Sequence, residues 1–304
     1  MLMASVLSMS KEIPRSIKLL ATLPLNILLN AILIIPFAIM IYLAFLKWSP
    51  AMGIDWWEAP FTGISNFIRA LSDARFINAL ANTVTYTVIV VSIEFFLGLL
   101  LAYLMLEEFV GKKAILSLII YPLMLPPVIV ASVFYLMFQP YGPVNNVFLR
   151  AVLGEDALRI TWFLNPRLAF TALIIADIWQ WTPFIFLILY SALSAVPRRL
   201  VEAAQVLGAS SFTIFWRIRL PLIKPLIIVA IVLRALEAFK MFDYAYLMTG
   251  GGPGISTETI SLYIYRVSVL YTDISYAAAM SLIVLVMLAI VIRLFIWYFF
   301  ERVR

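Results

Sequence analysis

Apolar runs recur along the chain at about 25–46, 78–106, 114–138, 168–192, 222–243 and 276–300, separated by shorter polar segments. A helix needs roughly 20 residues to cross a hydrocarbon layer, so the pattern predicts an all-α polytopic membrane protein with about six transmembrane helices. The second run is long enough to cross at a tilt. The third holds Pro122, Pro126 and Pro127, which predicts a kink or break within the membrane. Two outer loops, 47–77 and 139–167, carry or adjoin Trp48, Trp56, Trp57 and Trp162, whose indole rings suit the headgroup region. No internal repeat or low-complexity tract interrupts the series.

Composition reinforces the membrane assignment and removes most enzyme chemistry. The 304 residues are 64% hydrophobic and 12% charged, beyond what a soluble core can bury. The chain has neither Cys nor His, which excludes disulfides, thiolate chemistry, imidazole metal sites and the commonest general base; no metal or cofactor site is expected. Lys11, Arg15 and Lys18 precede the first run as in a signal peptide, but that run is longer than an h-region and lacks a small-residue cleavage site. It is expected to be a retained span.

Charge fixes the expected orientation. One set of connections, with Lys11, Lys112, Arg198, Arg217 and Arg304 among its cations, holds twelve Lys and Arg against five acids, and the opposite set holds seven against seven. Lys and Arg accumulate on the cytoplasmic side, so both termini are expected inside, in a multi-pass protein of the cell (plasma or inner) membrane. Residues 1–24 are then expected to form a cytoplasmic N-terminal segment and 25–304 a transmembrane domain. The net charge of +6 is a topology signal dispersed over short loops, and a nucleic-acid partner is not expected.

The inner connection at 197–221 is too polar to span and too patterned for a simple linker. Pro197 suits a helix start, Glu202, Ala203 and Ala204 favour helix, Gly208 permits a sharp turn and Pro221 suits a helix restart. A helix, a turn and a second short helix are expected. Such an element suits docking in a groove of another protein, and equally suits an amphipathic connector at the membrane surface.

Spacing separates the two. Glu202-Ala203-Ala204, Gly208-Ala209, Ile218 and Leu220-Pro221 resemble the EAA loop of ABC importer permeases. Phe242-Asp243 through Thr249-Gly250-Gly251-Gly252-Pro253 to Ser256-Thr257-Glu258-Thr259 is similar to the sugar-permease branch, notably its maltose-transporter first-subunit and glycerol-phosphate relatives. Asn82-Thr83 and Trp179 through Pro183-Phe184 are weaker matches, and Leu207 departs from the Asp that many relatives carry. The resemblance implies a type I importer permease fold, half of a translocation pathway for a sugar, of the di- or oligosaccharide class. It also implies a second homologous permease subunit, two copies of a cytoplasmic ATPase that bind ATP and Mg, and an extracytoplasmic sugar-binding protein. The chain has no G-x-x-x-x-G-K-[ST] phosphate loop, in keeping with hydrolysis by a partner and a subunit that is not itself an enzyme. By the same resemblance Glu202 pairs with a basic residue of the ATPase and Gly208 shapes the turn.

Polar side chains within spans are costly, and few occur: Glu94, Asp177, Gln180, Arg234, Glu237, Lys240 and Asp243, with Arg293 near the inner end of the last span. Arg234 and Glu237 are three apart, which allows a structural charge pair on one helix face. Alternatively Gln180, Trp181 and Phe184 of the fourth span with Arg234, Glu237 and Ala238 of the fifth line a midplane sugar path, where hydroxyls meet polar groups and ring faces meet aromatics. Trp179 and Trp181 suit helix packing equally well. Glu94 has no partner assignable from sequence. Two rivals stand beside the permease reading: a proton-coupled transporter using Glu94, Asp177 and Glu237, and an intramembrane protease pairing Asp177 with Asp243.

Overall fold

The computed structural model describes residues 15–153 and 160–301. Most of the expected N-terminal segment, and the charges at Lys11, Glu12, Glu155, Asp156, Arg159, Arg302 and Arg304, lie outside the described residues. Helices dominate. Among the described residues the extended pairing is confined to one bridge between Leu46 and Phe61.

The long helices follow the hydropathy pattern: α1 (Arg15–Ala44), then, after the short α2 (Ser65–Ser72), α3 (Ala74–Leu104). The third run is broken into α4 (Lys112–Ile120) and α5 (Pro127–Met137), which meet at a 96° bend. α6 (Pro166–Ser194) leads through α7 (Arg198–Val206) to α8 (Leu220–Phe239), and α9 (Ile260–Tyr265) precedes the final α10 (Ile274–Glu301). α1, α3, α6 and α10 are long and apolar enough to cross a membrane, and the bent pair adds a broken span. α8 has the length to cross, but Lys224, Arg234 and Glu237 leave it outside this apolar set, so up to five of the six expected spans stand out by length and apolarity among the described residues.

The bend follows from its prolines. Leu125 and Pro126 are extended (ψ 138° and 136°), as the residue before a proline must be, and Pro127 restarts the helix at a position needing no N–H donor. Elsewhere helix starts are capped by short polar side chains. Asp73 accepts from the backbone N–H of Arg75 at 2.8 Å, and Asn165 from that of Arg167 at 3.0 Å.

The chain forms two compact units. The first comprises residues up to Ala70 with Val267–Val284. Its core joins Leu43, Ala44 and Leu46 at the end of α1 to Ala278 and Ala279. Asn66 donates to the carbonyls of Ala44 (3.0 Å) and Leu46 (2.7 Å), satisfying acceptors left at the α1 terminus. Most of α1 exposes Leu, Ile and Phe, the surface expected of a helix facing lipid.

The second unit, Leu71–Arg266 with Leu285 onward, centres on α3, α6 and α8. The α3–α6 seam is tight at Gly98, where a Cβ would lie 2.8 Å from Ile185 Cγ2 and 3.0 Å from the Phe186 nitrogen. Small residues at such seams let membrane helices approach closely.

Candidate functional site

Two regions of the second unit gather the residues that sequence singled out, one at its helical centre and one at the inner loop.

At the centre, Arg234 on α8 is 1% exposed and grips two carboxylates. Its Nε donates to Glu94 Oε2 at 2.6 Å and its Nη2 to Glu94 Oε1 at 2.8 Å, a two-pronged contact with α3. The same Nη2 donates to Asp177 on α6. The expected Arg234–Glu237 pair does not form: Glu237 accepts instead from Lys240 at 2.8 Å, at the exposed end of α8. The reason is physical. A fully buried guanidinium needs carboxylates on several sides, and only neighbouring helices supply them, whereas Glu237 reaches solvent beside Lys240.

Gln180 is buried too. Its Nε2 donates to the carbonyl of Leu125 at 2.6 Å, satisfying an acceptor freed by the proline break, and its Oε1 accepts from the Tyr244 hydroxyl. Ala238 is 1% exposed. Trp181, half-buried, lies over Arg234 with the guanidinium carbon 5.0 Å from its ring centroid, and packs edge-on against the half-buried Phe184 at 6.0 Å. Of the six pathway candidates, Gln180, Arg234 and Ala238 thus sit inside this chain's packing, while Trp181, Phe184 and Glu237 retain exposed surface. Glu94 and Asp177, separated from Arg234 by 140 and 57 positions, are what sequence left unpaired. The available signal was the concentration of the few intramembrane charges on three helices.

At the inner loop, α7 begins after Pro197 and ends in a two-bond cap. Gly208 N–H donates to Gln205 O and Ala209 N–H to Ala204 O, each at 2.9 Å, with Gly208 at φ +81°. Ser210 then caps the next turn, its Oγ accepting from Thr213 N–H at 3.2 Å. A short helix, Ser211–Ile214, passes through a wide turn at Phe215–Arg219 into α8, with Pro221 in the first turn. No residue of α7 is buried. Glu202 and Ala203 are exposed, Ala204, Ala209, Ile218 and Leu220 are half-buried, and the tip presents Val206 and Leu207 at 86% exposure each. A cavity of about 410 Å³ behind α7 is bordered by Lys112, Tyr190, Arg198, Glu202 and Arg219. Glu108 pairs with Lys112 at 2.7 Å beside this cavity.

A second knot ties the Asn82-Thr83 and Gly-rich stretches together at the outer end. Glu258, fully buried, accepts from Arg75 at 2.7 and 2.8 Å and from Arg266. Asn82 donates to the carbonyls of Ile255 and Glu258 at 3.1 Å, and Thr83 Oγ1 accepts from Ile260 N–H at 2.8 Å.

A polytopic helical chain with a capped, exposed connecting helix is the architecture of a membrane transport subunit, and similarity to known proteins supplies its class. The chain belongs to the family described as binding-protein-dependent transport system inner membrane component, matched over residues 94–304. It is 39% identical over 210 residues to the trehalose/maltose transport system permease protein MalF of Thermococcus litoralis, covering 69% of this chain and 70% of that one. It is 36% identical to the sulfoquinovosyl glycerol transport system permease protein SmoG of Agrobacterium fabrum, covering 88% and 85%. Among solved structures, a chain of a bacterial alginate ABC transporter in complex with its alginate pentasaccharide-bound periplasmic protein superposes with a TM-score of 0.79 at 26% identity, over 94% of both chains. The type I ABC importer permease fold and the multi-pass membrane character follow.

Proposed function

We propose that this chain forms half of the translocation pathway of an ATP-driven saccharide importer and receives its power stroke through the loop at 197–221. The observation that carries this reading is the exposed helix α7, rigidly ended at Gly208 yet displaying Val206 and Leu207. Burying two such side chains against a partner favours docking by roughly 1.5–3 kcal/mol each. Named relatives that transport trehalose, maltose or alginate support a saccharide cargo.

In this reading Glu202, Ala203, Ala204, Gly208 and Ala209 meet a cytoplasmic ATPase, while Ile218, Leu220 and Pro221 join the docked segment to α8. Nucleotide and Mg are held by two ATPase copies. A second homologous permease completes the pathway, and an extracytoplasmic binding protein delivers the solute. Both termini lie in the cytoplasm, and the chain itself is no enzyme. Trp181, Phe184 and Glu237 face the solute, with Gln180, Arg234 and Ala238 supporting them from behind.

Reconstitution of the chain with its co-purifying partners tests the assignment. Glu202→Lys and Gly208→Val are expected to abolish solute-stimulated ATP hydrolysis while the chain still inserts and folds. Wild-type uptake with normal ATPase association in both variants contradicts it.

A further inference from the structure

We propose that the solute is an uncharged saccharide and that the charge arrangement of this chain discriminates against acidic or phosphorylated ones. The inference rests on the importer reading above and narrows its substrate class. The relatives do not decide the matter, since they include a trehalose/maltose permease and a transporter of the acidic polysaccharide alginate.

A carboxylate, sulfonate or phosphate leaving water for a membrane-embedded path needs a cation free to receive it, because an unpaired ion in low dielectric is strongly disfavoured. Arg75 and Arg167 lie in the first turns of α3 and α6, and Lys224 in the second turn of α8. Deeper in, the cations are Arg234 and, at the α8 terminus, Lys240. Arg234 is buried and already faces two carboxylates: Glu94 takes two of its five donors, Asp177 takes a third, and Trp181 lies over its face. Lys240 is held by Glu237 at 2.8 Å.

The acids outnumber these bases. Glu94, Asp177, Glu237 and the half-buried Asp243 stand against Arg234 and Lys240, and Asp243 has no ion-pair partner among the described residues. Four carboxyl groups thus stand against two cations, and neither cation is left over to receive an anion. The exposed Glu237 carboxylate and Lys240 ammonium suit hydroxyl edges, and the half-buried Trp181 and Phe184 of α6 suit the apolar faces of sugar rings.

The test uses the complete transporter, this chain with its partner subunits and binding protein, in proteoliposomes. ATP hydrolysis is followed with maltose and trehalose, and separately with alginate oligosaccharide and glycerol 3-phosphate. Stimulation by a neutral sugar, with each acidic solute giving less than roughly one-tenth of it, is the expected result. An acidic solute that stimulates as well as or better than the neutral ones overturns the inference and leaves the importer reading intact. No ATP-dependent uptake of any saccharide overturns both. To isolate this chain from the binding protein, Glu237→Gln combined with Asp243→Asn removes two negative charges and frees Lys240. The ratio of acidic to neutral uptake is expected to rise at least about fivefold. An unchanged ratio in a variant that still transports overturns the inference.

Discussion

Replacing Arg234 by Met probes the centre of the second unit. Three donor contacts disappear, two to Glu94 and one to Asp177, and all three residues are at most 2% exposed. Removing one member of a buried ion pair costs about 3–5 kcal/mol, because the remaining charge is left without a partner. Here two carboxylates are stranded together, so the upper part of that range is expected. The same geometry ranks the other variants. Glu94→Gln leaves one acceptor oxygen where the two-pronged partner had two and removes its charge, for about 2–4 kcal/mol. Asp177→Asn removes one contact and takes the cluster's formal charge from −1 to zero, so about 1–2 kcal/mol is expected. Arg234→Lys keeps the charge without the planar fork and falls between these extremes. Chemical unfolding of the purified chain in detergent, followed by tryptophan fluorescence, measures each value. A double-mutant cycle should give a larger coupling for Arg234 with Glu94 than with Asp177. An Arg234→Met cost below about 1 kcal/mol, or Asp177→Asn as the most damaging change, would contradict the arrangement.

Other expectations are more local. Gly98→Leu forces atoms into the 2.8 Å approach to Ile185 and should destabilise the chain by about 3 kcal/mol or more in the same unfolding assay, with Gly98→Ala milder. At Gly208 a Cβ meets nothing within 4 Å, so only the φ of +81° penalises a side chain. Gly208→Asn, which tolerates that conformation, should retain most solute-stimulated ATP hydrolysis, whereas Gly208→Val should lose it. Glu258→Gln leaves Arg75 and Arg266 without their shared carboxylate, and limited proteolysis should then cut the 250–259 segment several-fold faster than in the wild type.

Hydropathy made the spans legible because lipid demands long apolar helices, and the three prolines marked the one that breaks. α8 was visible by length although its charges dilute its hydropathy. Turn chemistry at Gly208 and Ser210 was equally local, so the helix–turn–helix of the inner loop could be read from residues that act on their immediate neighbours. Partners across helices were not readable. Arg234 and Glu237 share a spacing that permits pairing on one helix, and nothing in the linear order reveals that α3 and α6 bring better-placed carboxylates. The partner of Gln180 was out of reach for a related reason, since it is a backbone carbonyl set free by a bend in another segment. The Asn82 and Glu258 stretches were each noticed for their resemblance, but their mutual hydrogen bonds emerge only when α3 and the Gly-rich loop are placed side by side.

The continuity of α6 has a mechanical consequence. Its 29 residues run unbroken through Pro183 for about 43 Å at 1.5 Å per residue, and its C-terminal end runs almost directly into α7. A tilt of about 10° imposed at that end would sweep the far end sideways by about 7 Å for a rod of this length. That is about the width of a sugar ring. In the importer proposed above, a modest push at α7 therefore needs only leverage, with no helix melting or sliding along its axis, to be felt at the far end of α6.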